Sequence, residues 1–423
     1  MNKRFMKRSS WKSALANGIF ALMILGVLPT GMTSCLDEAD KRVELDNSAP
    51  AQVSNIQAEA GPGEVYLTWD IPQSASFMYT KIEYLDAKGE KQYQIISKER
   101  ADAEGRCNTT ISGFINTSPV NFAFYACAVK GNNMGAVEIE ASPGAPAFTA
   151  IVQGITVDPD EGGVLINYVN DFSVSTFVQI DYHAVSDASK AGSTSFEVGA
   201  NSSGSQWVRL SYGNEFIAGE ECLLTIAGRD AAGNVSEARE VRVTPIPVTK
   251  VDRTLWSFPG YDDNSDAGTI GYSSQETKGE GGGKSPAGRV IAMVDGDVNT
   301  FWHATWKSQG TKYPHWFILD MGKNVKVSSI ELLRRQGKDG AKCQTGQQFY
   351  LCSEENAVNP TAPDTWTWDD RGEYSFDASL ETPQAYRMTG TPSARYIKVY
   401  FGEQYKGTGD QGMLAEINVY TTE

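Results

Sequence analysis

Residues 395–401 read Arg-Tyr-Ile-Lys-Val-Tyr-Phe, and apolar side chains return at every second position of this stretch. Successive side chains of a β-strand point to opposite faces, so the pattern predicts a strand with one face in a core. The core-facing set is expected to be Ile397, Val399 and Phe401, and the outward set Tyr396, Lys398 and Tyr400. Together with the apolar stretches 316–322 and 325–333, this strand predicts a β-sandwich near the end of the sequence.

Two further sandwiches are predicted upstream. Residues 65–69, Val-Tyr-Leu-Thr-Trp, alternate in the same way, and short runs with turns between them extend the pattern over 50–146. The plan repeats over 147–250, where 162–168 and 222–234 predict an early and a late strand. Both segments resemble fibronectin type III domains, which implies Ig-like sandwiches that act as spacers or bind proteins. The expected fold class is therefore all-β, with three successive sandwiches.

The composition agrees with this architecture and excludes one class of partner. A chain of 423 residues is expected to hold roughly three domains. The net charge of −15 at pH 7 repels polyanions, and beyond residue 12 adjacent Lys or Arg residues occur only as the pairs Lys41-Arg42 and Arg334-Arg335. Nucleic acid is therefore not an expected partner.

The N-terminal sequence is typical of an exported protein. Lys and Arg residues precede an apolar stretch over 14–28, which is too short to favour a retained transmembrane helix. Residues 32–35, Met-Thr-Ser-Cys, resemble a bacterial lipobox, which implies a lipoprotein signal peptide over 1–34 and lipidation of Cys35. Ordinary cleavage nearby, with Cys35 as a free thiol, is the alternative. The acidic tether over 35–49 resembles a surface-export signal, so we expect a lipid-anchored protein of the outer membrane that faces the cell exterior.

Four motifs toward the end of the sequence follow one another in a recognisable order. They are 294–302 (Val-Asp-Gly-Asp-Val-Asn-Thr-Phe-Trp), 314–322 (Pro-His-Trp-Phe-Ile-Leu-Asp-Met-Gly), 395–399 and 415–417 (Ala-Glu-Ile). In this order they resemble the coagulation factor 5/8 type C, or discoidin, family. Its bacterial members are largely family 32 carbohydrate-binding modules. The resemblance implies a galactose-binding-like jelly-roll β-sandwich over 255–423 and a non-catalytic function in sugar binding.

The resemblance also implies the position of a sugar site. Family members that bind galactose or N-acetylhexosamines carry a His, a Trp three residues later and an Arg at the end of a following strand. These correspond here to His303, Trp306 and Arg335 or Arg334. An aromatic ring can stack on the apolar face of a pyranose, and a guanidinium group can donate hydrogen bonds to its hydroxyls.

Two further residues are candidates for the same site. Where the family often has Asn, this chain has Asp339, which leaves the identity of the sugar open. Tyr405, in the loop 402–410, is expected to supply a second aromatic ring. The alternative is that these are solvated loop side chains and that Trp306 folds back over the core.

In the same family, an Asp-Gly-Asp turn, a nearby Thr and a late Glu hold a structural calcium ion. Calcium takes roughly six to eight oxygen ligands, several of them carboxylates. The implied ligands are Asp295, Asp297, Thr300, Glu416 and a carbonyl oxygen such as that of Ala292. Asp and Gly also favour a turn without any metal, so an empty turn is the alternative.

The expected function is that of a surface lipoprotein that binds glycans, with galactose- or N-acetylhexosamine-type sugars favoured, for a polysaccharide-utilisation system. The expected partners are a glycan ligand and the outer-membrane lipid through the Cys35 anchor, and other glycan-uptake proteins are further candidates. The alternative is a cell-surface adhesion or protein-binding module. A glycosidase would need two carboxylates facing each other in a cleft, and the sequence singles out no such pair. We therefore expect no enzymatic activity.

Overall fold

The structure is a computed structural model of the chain and describes residues 45–217, 219–268, 270–308 and 312–423. Cys35, the expected signal peptide and most of the acidic tether lie outside the described residues. No helix within the described ranges is long and apolar enough to cross a membrane. The described chain is nearly all β, as the sequence predicts, and its strands form three successive units.

The first unit is built from antiparallel strands in two sheets. Its strands are β1 (Ser54–Gly61), β2 (Glu64–Asp70), β3 (Tyr79–Leu85), β4 (Lys91–Ser97), β5 (Arg106–Ser112), β6 (Val120–Cys127) and β7 (Val137–Ala141). One sheet has the order β1-β2-β5 and the other the order β4-β3-β6-β7. In the core between them, Trp69 meets Phe124 edge to face, with ring centroids 5.3 Å apart. The indole N–H of Trp69 donates to the hydroxyl of Thr80 over 3.0 Å, so the buried ring has a polar partner.

The second unit repeats this plan and adds a helix that the sequence did not predict. Its elements are α1 (Ala147–Gly154), β8 (Thr156–Asp160), β9 (Gly163–Asn170), β10 (Thr176–Ala184), β11 (Ala191–Val198), β12 (Ser202–Arg209), β13 (Ser211–Tyr212), β14 (Glu215–Phe216), β15 (Cys222–Arg229) and β16 (Arg239–Val243). The sheets have the orders β12-β9-β8 and β11-β10-β15-β16, and β13 pairs with β14. Helix α1 packs against β9, β10 and β15 and buries Ile151 and Val152 in the core.

The third unit carries the motifs that resemble the discoidin family. Its strands are β17 (Thr249–Lys250), β18 (Trp302–His303), β19 (His315–Lys326), β20 (Ser329–Leu333), β21 (Gly346–Cys352), β22 (Asp369–Ser375), β23 (Gln384–Arg387), β24 (Ser393–Phe401), β25 (Met413–Leu414) and β26 (Glu416–Thr421). Two four-stranded sheets, β17-β26-β20-β23 and β19-β24-β21-β22, enclose the core, and β18 pairs with β25. Ile397, Val399 and Phe401 are fully buried, which confirms the predicted inward face of β24.

Short 3-10 helices occupy several connections. They are Lys98–Arg100, Gly281–Gly283, Val290–Val294, Gly340–Lys342, Glu354–Asn356, Pro363–Thr365 and Glu403–Tyr405. In the Gly281–Gly283 turn all three φ angles are positive, at 52°, 67° and 82°. Glycine populates this left-handed region at little cost, whereas other residues rarely do. The run of glycines is therefore what allows the chain to turn directly after Glu280.

The third unit departs from the sequence-based expectation in two ways. Strand β17 pairs with β26 and Val251 lies in the core, so the unit begins before Leu255. Tyr396 was expected to face outward, but Trp366 from the loop before β22 covers it, with ring centroids 4.4 Å apart. The cysteines of the described residues are all free and buried, namely Cys107, Cys127, Cys222, Cys343 and Cys352.

The second and third units share charged contacts across their junction. Arg209 of β12 pairs with Glu331 of β20 at 2.5 Å, and the side chain of Glu331 is only 2% exposed. Arg387 of β23 pairs with Asp160 of β8 at 3.1 Å. Because one partner of each pair comes from each unit, these contacts define how the last sandwich sits on the one before it.

Candidate functional site

Three of the predicted sugar-binding residues lie together beside β18. His303 ends β18, Trp306 follows in the next loop, and Arg335 comes shortly after β20. The ring centroids of His303 and Trp306 are 6.3 Å apart. The guanidinium carbon of Arg335 lies 4.1 Å from the ring centroid of Phe301, and that ring is 6.5 Å from the imidazole of His303. The fold therefore brings an indole, an imidazole and a guanidinium group to one place.

Glu280, which was not predicted from the sequence, connects Trp306 with Arg335. Its Oε1 accepts a hydrogen bond from the indole N–H of Trp306 over 3.1 Å and lies 3.9 Å from Nη1 of Arg335. Glu280 could have been recognised as a candidate from the sequence, because it is the one charged residue within the glycine-rich run 279–283. His303, Trp306, Arg335 and Glu280 are called the loop cluster below.

The indole of Trp306 is held firmly and is still open to solvent. Trp306 is 43% exposed, and its ring lies so close to Gly279 that a Cβ there would come within 2.5 Å of it. The buried carboxylate of Glu276 accepts the backbone N–H groups of Trp306 and Lys307, each over 2.8 Å. It also accepts those of Lys278 and Gly279, over 3.0 and 2.7 Å. Burial alone would raise the pKa of Glu276, but these four hydrogen bonds hold that pKa below its ordinary value.

His303 forms the buried floor of the loop cluster. It is 3% exposed, and burial lowers the pKa of its imidazole, so the ring is neutral at neutral pH. Its Nδ1 lies 2.6 Å from the carbonyl oxygen of Ala304. A carbonyl oxygen can only accept, so Nδ1 carries the proton and Nε2 is left as an acceptor. The cluster thus combines an acceptor nitrogen with the donors of Arg335.

Arg334, the other arginine predicted for the site, has a structural role instead. It is 3% exposed, and its guanidinium group donates to the carbonyl oxygens of Leu380, Arg335 and Gly337 over 2.8, 3.0 and 2.9 Å. It also pairs with Glu381 at 3.0 Å. The prediction for Arg334 is therefore wrong, because its donors are used to hold the loop after β20. The side chain of Arg335 is 21% exposed and remains the candidate.

The last two sugar-site candidates lie in different places. Oδ2 of Asp339 is 3.9 Å from Nη2 of Arg335, so Asp339 borders the loop cluster. Tyr405 instead packs against Gly346 at the start of β21, where a Cβ would come within 2.6 Å of its ring. Burial, together with the Glu373 carboxylate of β22, raises the pKa of Tyr405 to about 12. The prediction that Tyr405 lines the same site is wrong, because its loop packs the ring beside β21 and β22.

The turn predicted to bind calcium is closed by its own side chains. Oε1 of Glu416 accepts the N–H of Gly296 over 3.0 Å. Oδ1 of Asp295 accepts the N–H of Asp297 over 2.8 Å, and its Oδ2 accepts the hydroxyl of Thr300 over 2.6 Å. Oxygen atoms from three of the predicted ligand residues therefore surround one turn, and an all-oxygen set of this kind is what calcium prefers.

The remaining contacts of this turn show where the other predicted calcium ligands lie. Oδ1 of Asp297 accepts the N–H of Asn299 over 3.0 Å. Oε2 of Glu416 pairs with Nη1 of Arg253 at 2.6 Å. Ala292 lies in the buried 3-10 helix that precedes the turn. Across the described ranges, no group of three or more His, Cys, Asp or Glu side chains is arranged to hold a metal ion.

Two curated proteins are similar to part of this chain. A galactose oxidase of Gibberella zeae is 29% identical over 129 residues, which are 30% of this chain and 17% of that protein. A sialidase of Micromonospora viridifaciens is 30% identical over 121 residues, which are 26% of this chain and 18% of that protein. This chain therefore spans less than a fifth of the length of these relatives.

A solved structure and a family model also match part of this chain. The family 32 CBM from C. perfringens NanJ in complex with galactose is 18% identical, covers 41% of this chain and 98% of its own, and has a TM-score of 0.29. The family model described as the F5/8 type C domain matches residues 270–417. This range contains the loop cluster, the Asp-Gly-Asp turn and strands β18 to β25. Residues 270–417 of this chain are therefore an F5/8 type C domain.

Proposed function

We propose that the chain is a non-catalytic glycan-binding protein and that the loop cluster is its sugar site. The observation that carries this proposal is the exposed indole of Trp306, held by Glu280 beside the guanidinium group of Arg335. The indole ring can stack on the apolar face of a pyranose while the guanidinium and carboxylate groups form hydrogen bonds with the hydroxyl groups of the sugar. Because Glu280 positions the ring before any ligand arrives, little ordering cost is left for binding.

Galactose- or N-acetylhexosamine-type sugars are the proposed ligands. The two curated relatives are named galactose oxidase and sialidase, and both names refer to sugars. Arg335 offers parallel N–H donors in a fixed fork, which discriminates among hydroxyl arrangements. Glu280 and Asp339 flank that fork and can accept from sugar hydroxyls. The site therefore offers stacking together with directional donors and acceptors.

We also propose that the chain is anchored through a lipid on Cys35 to the outer membrane, faces the exterior and serves a polysaccharide-utilisation system. The basic start, the apolar stretch and the lipobox-like residues 32–35 support the anchor. Other glycan-uptake proteins would be its neighbours. Labelling of cells with a fatty-acid analogue should mark the wild-type chain and not Cys35→Ala. A label that persists in Cys35→Ala contradicts the anchor.

A structural calcium ion is proposed at the turn 295–300. Asp295, Asp297, Thr300 and Glu416, with a carbonyl oxygen such as that of Ala292, would hold it. Burial raises the pKa of Glu416, and the Asp295 carboxylate adds to this, so a cation there would relieve the repulsion between the two groups. The turn directly precedes β18, so its stabilisation would support the position of the loop cluster.

A glycan array with the wild-type chain, Trp306→Ala and Tyr93→Ala tests the sugar site. Tyr93 lies in the first unit and is 65% exposed, which makes it a matched control for the loss of an exposed ring. We expect glycan signals from the wild type and Tyr93→Ala and a loss of them in Trp306→Ala. A silent wild type, or an unchanged Trp306→Ala, overturns the proposal. Capture of a protein partner that free sugar does not displace would favour the adhesion alternative, and turnover of a glycan would contradict the non-catalytic assignment.

A further inference from the structure

The sheet β19-β24-β21-β22 carries partly exposed aromatic rings on the side turned away from the core. Trp316 of β19 and Tyr350 of β21 lie on this side with Lys398 of β24, and Tyr350 is the cross-strand partner of Lys398. Trp368 reaches the same place from the connection before β22. These four residues are called the aromatic face below.

The ring of Trp368 is fixed by its own loop. Its indole N–H donates to the carbonyl oxygen of Pro363 over 2.9 Å, and it stacks on Trp366 with ring centroids 5.4 Å apart. Trp366 in turn covers Tyr396 on β24. Trp366 is buried whereas Trp368 is partly exposed, so one ring anchors the loop and the other is presented at the surface. The aromatic face is therefore organised without a ligand.

Lys398 lies between the rings with its hydrogen-bonding capacity unused. Its Nζ is 5.3 Å from the ring centroid of Trp316 and 6.0 Å from those of Tyr350 and Trp368. Burial lowers the pKa of Lys398, although Asp364 opposes this shift. Within the part of the chain that the structure describes, the ammonium group lies near these rings and has no hydrogen-bond acceptor and no carboxylate within ion-pair distance. An ammonium group has three N–H donors, so the centre of the face lacks acceptors that a ligand could supply.

The groups that border the rings are polar and acidic. Gln348 pairs in register with Tyr400 of β24 and with Glu373 of β22. Its amide donates to both carboxylate oxygens of Asp370, over 3.0 and 2.9 Å. Arg371 of β22 and Arg395 of β24 are each paired with a carboxylate, and Asp370 and Glu373 of β22 add two more carboxylates beside this part of the sheet. These carboxylates can accept hydrogen bonds from hydroxyl groups, and they repel anions.

We propose that the aromatic face is a second glycan-binding site and that its ligand is a neutral polysaccharide. The rings would stack on the C–H faces of sugar units while the ammonium group of Lys398 donates to their oxygens. An acidic polysaccharide would be repelled by Asp370 and Glu373, and a purely apolar partner would bury Lys398 without an acceptor. A neutral sugar chain offers both C–H faces and hydroxyl oxygens, so it is the ligand that suits this surface best.

The aromatic face is separate from the loop cluster, with which it shares no residue. Tyr405, misplaced by the sequence-based prediction, lies near Tyr350 and Glu373 and so adjoins the aromatic face. Two sites on one domain would let a polysaccharide bind at both, which raises the overall affinity without new contacts at either. This inference goes beyond the proposed function, because the aromatic face could bind a glycan even if the loop cluster did not.

Affinity gel electrophoresis of the full chain tests this proposal. The gels contain galactomannan, xyloglucan, laminarin or, as the acidic probe, polygalacturonate. We expect Trp306→Ala to be retarded still in at least one neutral gel. Adding Tyr350→Ala or Lys398→Met should weaken that retardation about tenfold, as expected for the loss of one aromatic or charged contact. Tyr350→Phe keeps the ring and should retain binding, and Tyr93→Ala is the control for an unrelated exposed ring.

Each result of the electrophoresis either supports or overturns the proposed second site. The proposal is overturned if Trp306→Ala is retarded in none of the neutral gels, if Tyr350→Ala and Lys398→Met change nothing, or if polygalacturonate alone retards the chain. If the loop cluster is not a sugar site, Trp306→Ala will match the wild type while Tyr350→Ala still loses binding. Thermal unfolding midpoints equal to that of the wild type ensure that lost binding does not reflect a lost fold.

Discussion

The indole N–H of Trp306 donates to Oε1 of Glu280 over 3.1 Å, and through this contact two loops distant in sequence share one site. Glu280 follows β17 in the chain and Trp306 follows β18. The same oxygen faces Arg335, so one carboxylate orients both the indole of Trp306 and the guanidinium group of Arg335. Glu280 is therefore a positioning residue as well as a potential acceptor for sugar hydroxyls.

Replacement of Glu280 should weaken glycan binding without unfolding the domain. Glu280→Ala removes the acceptor for the indole N–H, and we expect a three- to tenfold lower affinity, which is about 0.5–1.5 kcal/mol for one hydrogen bond. Glu280→Gln keeps an acceptor oxygen and should lose less. Calorimetric titration with a glycan found on the array measures both. Equal affinities for Glu280→Ala and the wild type would show that the contact has no role in binding.

Substitutions of the neighbouring residues Arg334 and Arg335 should have different effects, one on the stability of the fold and the other on glycan binding. Arg334→Ala leaves three carbonyl oxygens without their buried donor, so we expect the free energy of unfolding to fall by about 2–3 kcal/mol. Arg335→Ala should keep its stability and lose glycan affinity. Chemical denaturation and calorimetric titration of both variants give the comparison. The reverse pattern would contradict the assignment of Arg335 to the sugar site.

Acid should destabilise the third unit through its two buried histidines. Burial lowers the pKa of His303 and His315 from the ordinary value of 6.5, so the unfolded chain takes up protons that the folded chain does not. Stability should therefore fall as the pH is lowered from 6.5, until the folded pKa is reached. The raised pKa of Glu416 acts in the opposite direction. Calorimetry between pH 7.5 and 5 (about one unit per step) should show the decline, and a double His303→Gln/His315→Gln variant should flatten it.

Removal of calcium should lower the unfolding temperature of the third unit. A ligand that binds only the folded state stabilises it more as its free concentration rises above its dissociation constant, so EGTA should reduce the midpoint and added calcium should restore it. Glu416→Gln and Asp295→Asn should make the midpoint insensitive to EGTA. Asp187→Asn, in an exposed turn of the second unit, serves as the control. An EGTA effect of zero on the wild type would exclude a structural calcium ion.

The junction between the second and third units should contribute measurably to stability. Arg209→Ala leaves the buried carboxylate of Glu331 without its cation, for which we expect a loss of about 3 kcal/mol. Arg242→Ala removes an exposed pair with Glu221 in the second unit and should cost less than about 1 kcal/mol. Calorimetry of both variants tests this difference. Similar losses would mean that the pair across the junction is no stronger than a surface ion pair.

The sequence predicted those features that follow from regular alternation. In β24, Ile397 and Val399 are buried because alternate positions of a strand share a face. Alternation fails where strands end, since β20 stops at Leu333 and the next two residues are both arginines. Only the loop that folds around Arg334 decides that Arg335 is the exposed one.

Contacts between loops could not be predicted from local patterns. Glu280 and Trp306 are 26 residues apart, and nothing in the sequence between them indicates that they meet. Tyr405 was misplaced for a similar reason, because its position depends on how the loop after β24 packs against Gly346. Tyr396 follows the strand pattern and is nevertheless covered, because Trp366 arrives from a separate connection.

The four backbone N–H groups that donate to the carboxylate of Glu276 limit which substitutions the sugar site can accept. A substitution at Glu276 would release the segment that carries Gly279 and the segment that carries Trp306 at the same time, so neither can be remodelled alone. Asp339 lies beyond this constraint, at the rim and partly exposed. We therefore expect a related domain that binds a different sugar to differ from this chain at the position of Asp339 more readily than at that of Glu276.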